Sequence, residues 1–313
     1  MHRGFFVWFG GIVVVLGSFL ILMAAGWPLG GPDQCTQHPT NQCYCEAYDM
    51  HAVQGHTPGV RQHVNTWPNL YAIGTSFLIA CFVYYDRVKL AQGGPANSMR
   101  SMSLLPDLYI FADQFLGLGS MWFHASLRTP WSAFDALSMF VYAGFLVAYT
   151  MHRIWPSPAA MLSIWLGYGM VVFLFTILTA VNLMGSATSP VLIGVLVAAY
   201  LVLELWPLRA QCVYDWRWWA GVGCITLATI FWFLSQTGAP MCHPSSPFQP
   251  HGLLWHPLAG AMTVDSVVES SALMYFAAVG AQHKISLLQP SLFARATGHH
   301  SGDYHVFTQG VGK

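Results

Sequence analysis

Apolar residues run in long blocks along the chain, separated by short polar connections. A helix that crosses a bilayer needs roughly 20 predominantly apolar residues. Eight blocks come close to or exceed that length: about 5–25, 67–85, 108–126, 131–151, 159–181, 190–206, 218–235 and 254–281. This pattern predicts an all-α fold, a polytopic membrane helical bundle. The short connections predict one bundle domain over 27–281, interrupted by a longer loop near 26–64. A membrane anchor (1–26) precedes it and a polar tail (282–313) follows it. The first block also fits a signal peptide, with Met1–Arg3 as its basic start.

Charge supports this reading and orients it. Only 8% of the 313 residues are charged and 55% are hydrophobic, whereas soluble domains carry about 25% charged residues. The net charge of zero gives no electrostatic reason to expect a nucleic-acid partner. Lys and Arg concentrate on the cytoplasmic side of membrane proteins. With the N-terminus inside, the inner side holds Arg3, Arg87, Lys89, Arg100, Arg153, Arg209, Arg217, Lys284, Arg295 and Lys313. The outer side then holds only Arg61 and Arg128. Both termini are therefore expected in the cytoplasm. Cys35, Cys43, Cys45 and Cys242 fall on the outer side, which suits an oxidising compartment and one or two disulfides.

Polar groups inside a bilayer are costly, so each is a candidate for function. The third block ends in GSMWFHAS, which sets Ser120 and His124 four residues apart on one helical face. The fourth begins with FDALSM, which places Asp135 near its outer end. His251 and His256 lie where the chain re-enters before the eighth block. Four polar positions from three helices are thus expected at one membrane depth near the outer face. Imidazole is a good zinc ligand, and three protein ligands leave one position for water. Zinc lowers the pKa of that water to about 7. Asp135 is placed to take its proton or to orient a ligand histidine. Ser120 is placed to donate to a developing oxyanion. Against this stands the plain alternative of interfacial histidines and a Ser–His pair that satisfies interhelical hydrogen bonds. The chain also has other outer-side histidines, at His38, His51, His56, His63 and His243.

GSMWFHAS followed by FDALSM resembles the alkaline ceramidases, a family within the CREST superfamily of membrane hydrolases. The family pattern is Ser, His four residues later, and Asp eleven after that His. Ser120, His124 and Asp135 match both intervals. QPHGLLWHPLAG resembles the family's last helix with its two histidines, and CYCEAY and VNTWPNL resemble the segment entering its first helix. The resemblance implies a seven-helix core over about 43–281, which leaves the first block as one additional N-terminal helix. It implies zinc bound by His124, His251 and His256, with Ser120 and Asp135 assisting catalysis. The implied reaction is hydrolysis of the amide bond of ceramide, or a similar N-acyl lipid, to a fatty acid and a free amine. It also implies a Cys45–Cys242 disulfide, with Cys35 and Cys43 as candidates for a second.

Two features depart from the family pattern. His251 and His256 are five residues apart rather than four, which separates them by about 140° on a regular helix. A π-bulge absorbs such an extra residue; alternatively His251 precedes the helix, an option favoured by Pro257 in a first turn. His243 is then the substitute ligand. The second departure concerns calcium. Glu46 matches one acidic position of the family's calcium site, but Cys43, Tyr44, Ala47, Tyr48 and Gln62 supply little charge. The calcium pattern is incomplete here.

Rival readings are a receptor-like CREST protein with the same metal core, a transporter using Asp113, Asp265 and Glu269, and a haem-binding bundle. For these three carboxyls the plainer expectation is a buried cluster that stitches helices together. No oligomeric state follows from the sequence.

Overall fold

The computed structural model describes residues 2–28, 30–32, 42–43, 45–47, 58–93, 104–155, 157–181, 188–205, 216–235, 238–244, 253–254 and 258. All lie within one unit, Met1–Ser271. The eighth apolar block and the polar tail lie almost wholly outside the described residues.

Seven long helices account for the first seven blocks. They are α1 (His2–Ala25), α2 (Leu70–Ala91), α3 (Leu105–Ser126), α4 (Thr129–Ile154), α5 (Pro158–Ala180), α6 (Thr188–Leu205) and α7 (Trp216–Leu234). Starts follow local chemistry. Proline, whose missing N–H is harmless in a first turn, opens α3, α4 and α5. Ser157 caps α5 by accepting from the Ala160 N–H at 3.3 Å. One turn of helix (His63–Thr66) and a 3-10 turn (Trp67–Asn69) lead directly into α2. The helical run 63–91 is therefore longer than the expected 67–85, because Pro68 tightens the helix into 3-10 geometry rather than starting it.

Among the described residues, four helices are long and apolar enough to cross a membrane: Phe6–Ala25, His63–Ala91, Thr129–His152 and Pro158–Ala180. Thr188–Leu203 and Gly223–Leu234 are apolar but shorter. α3 falls outside both groups, since it carries Asp107, Asp113, Gln114, Ser120 and His124.

α3 packs between α2 and α4, with α1 against α2 and α3; α4 also contacts α5 and α6. One apolar cluster joins Ile79 and Val83 of α2 to Tyr109 and Ile110 of α3 and Phe145 of α4. A second joins Phe140 of α4 to Leu192 and Leu196 of α6 and Trp232 of α7. Two glycines let α3 approach its neighbours. A Cβ on Gly117 would lie 2.9 Å from Ala72 Cβ and 3.0 Å from Asn69 O of the α2 segment. A Cβ on Gly119 would lie 2.6 Å from Ser138 Oγ and 2.7 Å from Phe134 O of α4.

α1, α2 and α3 alternate in direction. Asp107 at the start of α3 pairs with Arg87 near the end of α2 and accepts from Trp8 Nε1 of α1 at 3.2 Å. The opposite end gathers the loops: Gly59 N–H donates to Met23 O at 2.8 Å, and Trp27 Nε1 donates to Gly59 O at 2.7 Å.

Candidate functional site

The site builds on the C-terminal end of α3. The last carbonyls of a helix lack partners within it. Here the incoming chain supplies them: Arg61 N–H donates to Ala125 O at 3.0 Å, and Gln62 N–H to His124 O at 3.1 Å. α3 then stops at Leu127, which takes the left-handed conformation (φ 50°) and donates to Phe123 O at 2.7 Å. That sharp stop lets α4 begin at once, alongside α3.

Three of the expected site residues belong to this end. His124 is 1% exposed, Ser120 5% and Asp135 4%. Ser120 lies one turn before His124 on α3. Asp135 lies between Phe134 and Ser138, the two residues of α4 that touch the Gly119 position. Asp135 and Ser120 therefore share one level of the α3–α4 interface. Ser138 Oγ donates to the Asp135 carbonyl at 2.7 Å, which ties down that first stretch of α4.

The His124 ring is held from outside the bundle. Its Nδ1 lies 2.7 Å from Gln62 Oε1, and Gln62 Nε2 donates to the Glu46 carbonyl at 3.0 Å. Glu46 in turn caps the helical run that leads into α2. Its two carboxylate oxygens accept from the Val64 and Asn65 N–H groups, each at 2.9 Å. Burial pushes the Glu46 carboxyl above its ordinary value, and the backbone N–H groups of Val64, Asn65 and His63 partly offset this.

A two-residue hairpin, β1 (Gln42–Cys43) against β2 (Glu46–Ala47), carries Glu46. Its turn residue Cys45 is fully buried and bonded to Cys242, as the family resemblance implies. Ala47 N–H also donates to Pro244 O at 3.4 Å. Covalent and hydrogen bonds thus link the 242–244 segment through Glu46 and Gln62 to His124.

Arg61 and Arg128, the two expected outer-side arginines, lie at this end as well. Arg128 is 2% exposed, and its Nη1 donates to Gly30 O at 3.2 Å. A helix C-terminus carries partial negative charge, which favours cations there.

His251 and His256 lie outside the described residues, as do Cys35, Asp265 and Glu269. His243, the substitute ligand, is exposed beside the disulfide. Among the described residues no group of three or more His, Cys, Asp or Glu is placed to hold a metal ion. Asp113 is fully buried and bonded to Thr75 Oγ1 at 2.6 Å, a cross-link between α3 and α2.

Sequence reading places Gln62 only among the calcium-site positions and misses its contact with His124. Its sequence signal was a polar side chain five residues ahead of the apolar block expected at 67–85. Its position beside His124 depends on a contact across 62 residues, which no local pattern encodes. No family model matches the chain, and no curated protein matches it.

Proposed function

We propose that this chain is a zinc-dependent membrane amidase that hydrolyses ceramide or a related N-acyl lipid to a fatty acid and a free amine. The observation that carries the reading is the buried His124 ring, gripped through Nδ1, one turn from Ser120 and at the end of the bundle where Asp135 lies in the first two turns of α4. A metal-ligating histidine characteristically engages its other ring nitrogen with an oxygen acceptor, and the Gln62 contact has that form. The donor chemistry of His124 therefore fits zinc. His251 and His256 would complete the ligand set, on a chain segment that starts nine residues beyond the Cys45–Cys242 bond. When bound, zinc supplies Lewis acidity toward water and toward the amide carbonyl.

The chain's own residues then divide the work. The Asp135 carboxylate takes a proton from the attacking water as its oxygen bonds to the amide carbon. The same proton passes to the leaving nitrogen as the C–N bond breaks. The Ser120 hydroxyl donates to the carbonyl oxygen as it gains charge. The acyl chain binds along apolar helix surface, at about 0.8 kcal/mol per buried CH₂. By the distribution of Lys and Arg, the site faces the outer side of the membrane, with both termini cytoplasmic.

Metal analysis and turnover of purified variants on an N-acyl lipid test this reading. His124→Ala and His256→Ala should each lose zinc and activity; full zinc in either removes that residue from the ligand set. If His251→Ala keeps zinc, His243 becomes the third ligand to test. Asp135→Asn and Ser120→Ala should retain zinc and each lose about 10²-fold or more in turnover per zinc-loaded molecule. Near wild-type turnover in Asp135→Asn would take the carboxylate out of the mechanism.

A further inference from the structure

We propose that Gln62 is a positioning residue, which locks the His124 imidazole in the Nδ1–H tautomer and so reserves Nε2 for the metal. This rests on the zinc reading above, but its geometry stands without it. A glutamine amide has one accepting and one donating end, and which end points where is decided by its partners. The Glu46 carbonyl can only accept. The Gln62 NH₂ must therefore face it, at 3.0 Å. A flipped amide would set two oxygens against each other at that distance. The Gln62 oxygen is then fixed toward His124 Nδ1, at 2.7 Å. An oxygen acceptor that close to a ring nitrogen requires the proton on that nitrogen. In a neutral ring the other nitrogen, Nε2, keeps the lone pair.

Each part of this relay is held independently. Gln62 is fully buried, and its backbone is pinned at both groups: its N–H donates to His124 O at 3.1 Å and its C=O accepts from Thr66 N–H at 2.9 Å. The Glu46 carbonyl is positioned by the hairpin, by the two carboxylate caps and by the disulfide at Cys45. The choice of amide matters. A carboxylate at position 62 would accept from Nδ1–H but would turn a second oxygen on the Glu46 carbonyl. Only an amide satisfies both neighbours and leaves the site without added charge.

The test uses full-length protein in detergent, with two readouts. The first is ¹⁵N NMR of histidine-labelled, metal-free protein at alkaline pH, where imidazole is neutral. The His124 signals are those that vanish in His124→Ala. The second is zinc affinity by chelator competition. Wild type should carry the proton on Nδ1. Gln62→Leu, which removes both hydrogen bonds at similar volume, should lose this preference and bind zinc about 10–100-fold more weakly. Gln62→Glu should keep the Nδ1–H tautomer, because it keeps the acceptor, and should bind zinc more tightly than Gln62→Leu. A proton on Nε2 in wild type, or a Gln62→Leu variant with unchanged tautomer and unchanged zinc affinity, overturns the proposal. If Gln62→Leu does not fold, wild type and Gln62→Glu still decide the tautomer. If wild type binds no zinc, the amidase reading fails, while the tautomer result still decides what Gln62 does.

Discussion

Gly119→Ala adds a single methyl where α3 and α4 touch most closely. The new Cβ would lie 2.6 Å from Ser138 Oγ, 2.7 Å from Phe134 O and 2.8 Å from Ser138 Cβ. The Phe134 carbonyl is helix backbone and cannot turn aside. Reaching an ordinary contact of 3.4 Å from 2.7 Å requires a displacement of about 0.7 Å between the helices. Overpacking of this kind costs about 1–3 kcal/mol. It also moves Asp135 relative to Ser120, and misplacements near 1 Å cost up to about 10²-fold in rate. The control is Gly167→Ala on α5, where nothing lies within 4 Å of the added Cβ. The same change there should be neutral or stabilise by up to about 1 kcal/mol through helix propensity. Gly119→Ala/Ser138→Gly removes two of the three contacts and should recover part of the loss. The assays are thermal unfolding in one detergent and turnover per zinc-loaded molecule. Wild-type stability together with wild-type turnover in Gly119→Ala would refute the close packing and the shared level of Ser120 and Asp135.

Removing the Cys45–Cys242 bond by Cys242→Ser opens a loop with a sequence separation of 197 residues. The chain-entropy bound for so long a loop is about 5 kcal/mol, reduced wherever helices stay inserted on unfolding. Thermal unfolding should show the loss, and zinc affinity should fall with it if the disulfide supports the relay to His124; an unchanged melting temperature would contradict the clamp. Glu46→Gln leaves one of the Val64 and Asn65 N–H groups without its acceptor, which should cost about 1–3 kcal/mol in the same assay. Because the folded Glu46 carboxyl is raised above 4.5, its contribution is complete below that pH and is lost as pH rises through the folded value. Unfolding free energy should therefore decline across that window in wild type, and Glu46→Gln should remove that component of the slope.

The first seven helices were legible because their apolar runs are long. The second boundary was set too late, because the helical run begins at His63, in polar residues ahead of the apolar block. The Ser120–His124 face was legible because it follows from spacing within one helix. The meeting of Asp135 with that face was partly legible, because only four residues lie between Ser126, the end of α3, and Trp131, where the next block was expected. The contact of Gln62 with His124 was not. It arises from pairing of backbone 61–62 with the carbonyls of 124–125, a register that depends on where α3 stops. That stop rests on Leu127 adopting φ 50°, which its side chain does not announce.

Burial and apolarity run in opposite directions along this bundle. α1 and α5 are its most apolar helices, yet only 6% and 11% of their membrane-length windows are buried. The windows in the 63–91 run and in α4 are less apolar, and 50% and 56% of them are buried. α3, which is not among the helices long and apolar enough to cross a membrane, buries Asp113, Gln114, Ser120, His124 and Ser126. In water the order would be reversed, since an exposed face is charged or polar and a buried one apolar. Leu162, Leu166, Met170, Phe173 and Leu174 all stand exposed on α5, an arrangement that costs free energy in water and none in hydrocarbon. The same inversion bears on the proposed site. In a bilayer, hydrocarbon outside would drive polar side chains inward, which fits an interior helix, α3, that carries a buried histidine and serine beside the Asp135 carboxylate. Its cost in stability is reduced where a partner lies across a close helix interface, as Thr75 does for Asp113. Gly117 and Gly119, on opposite sides of α3, allow both approaches.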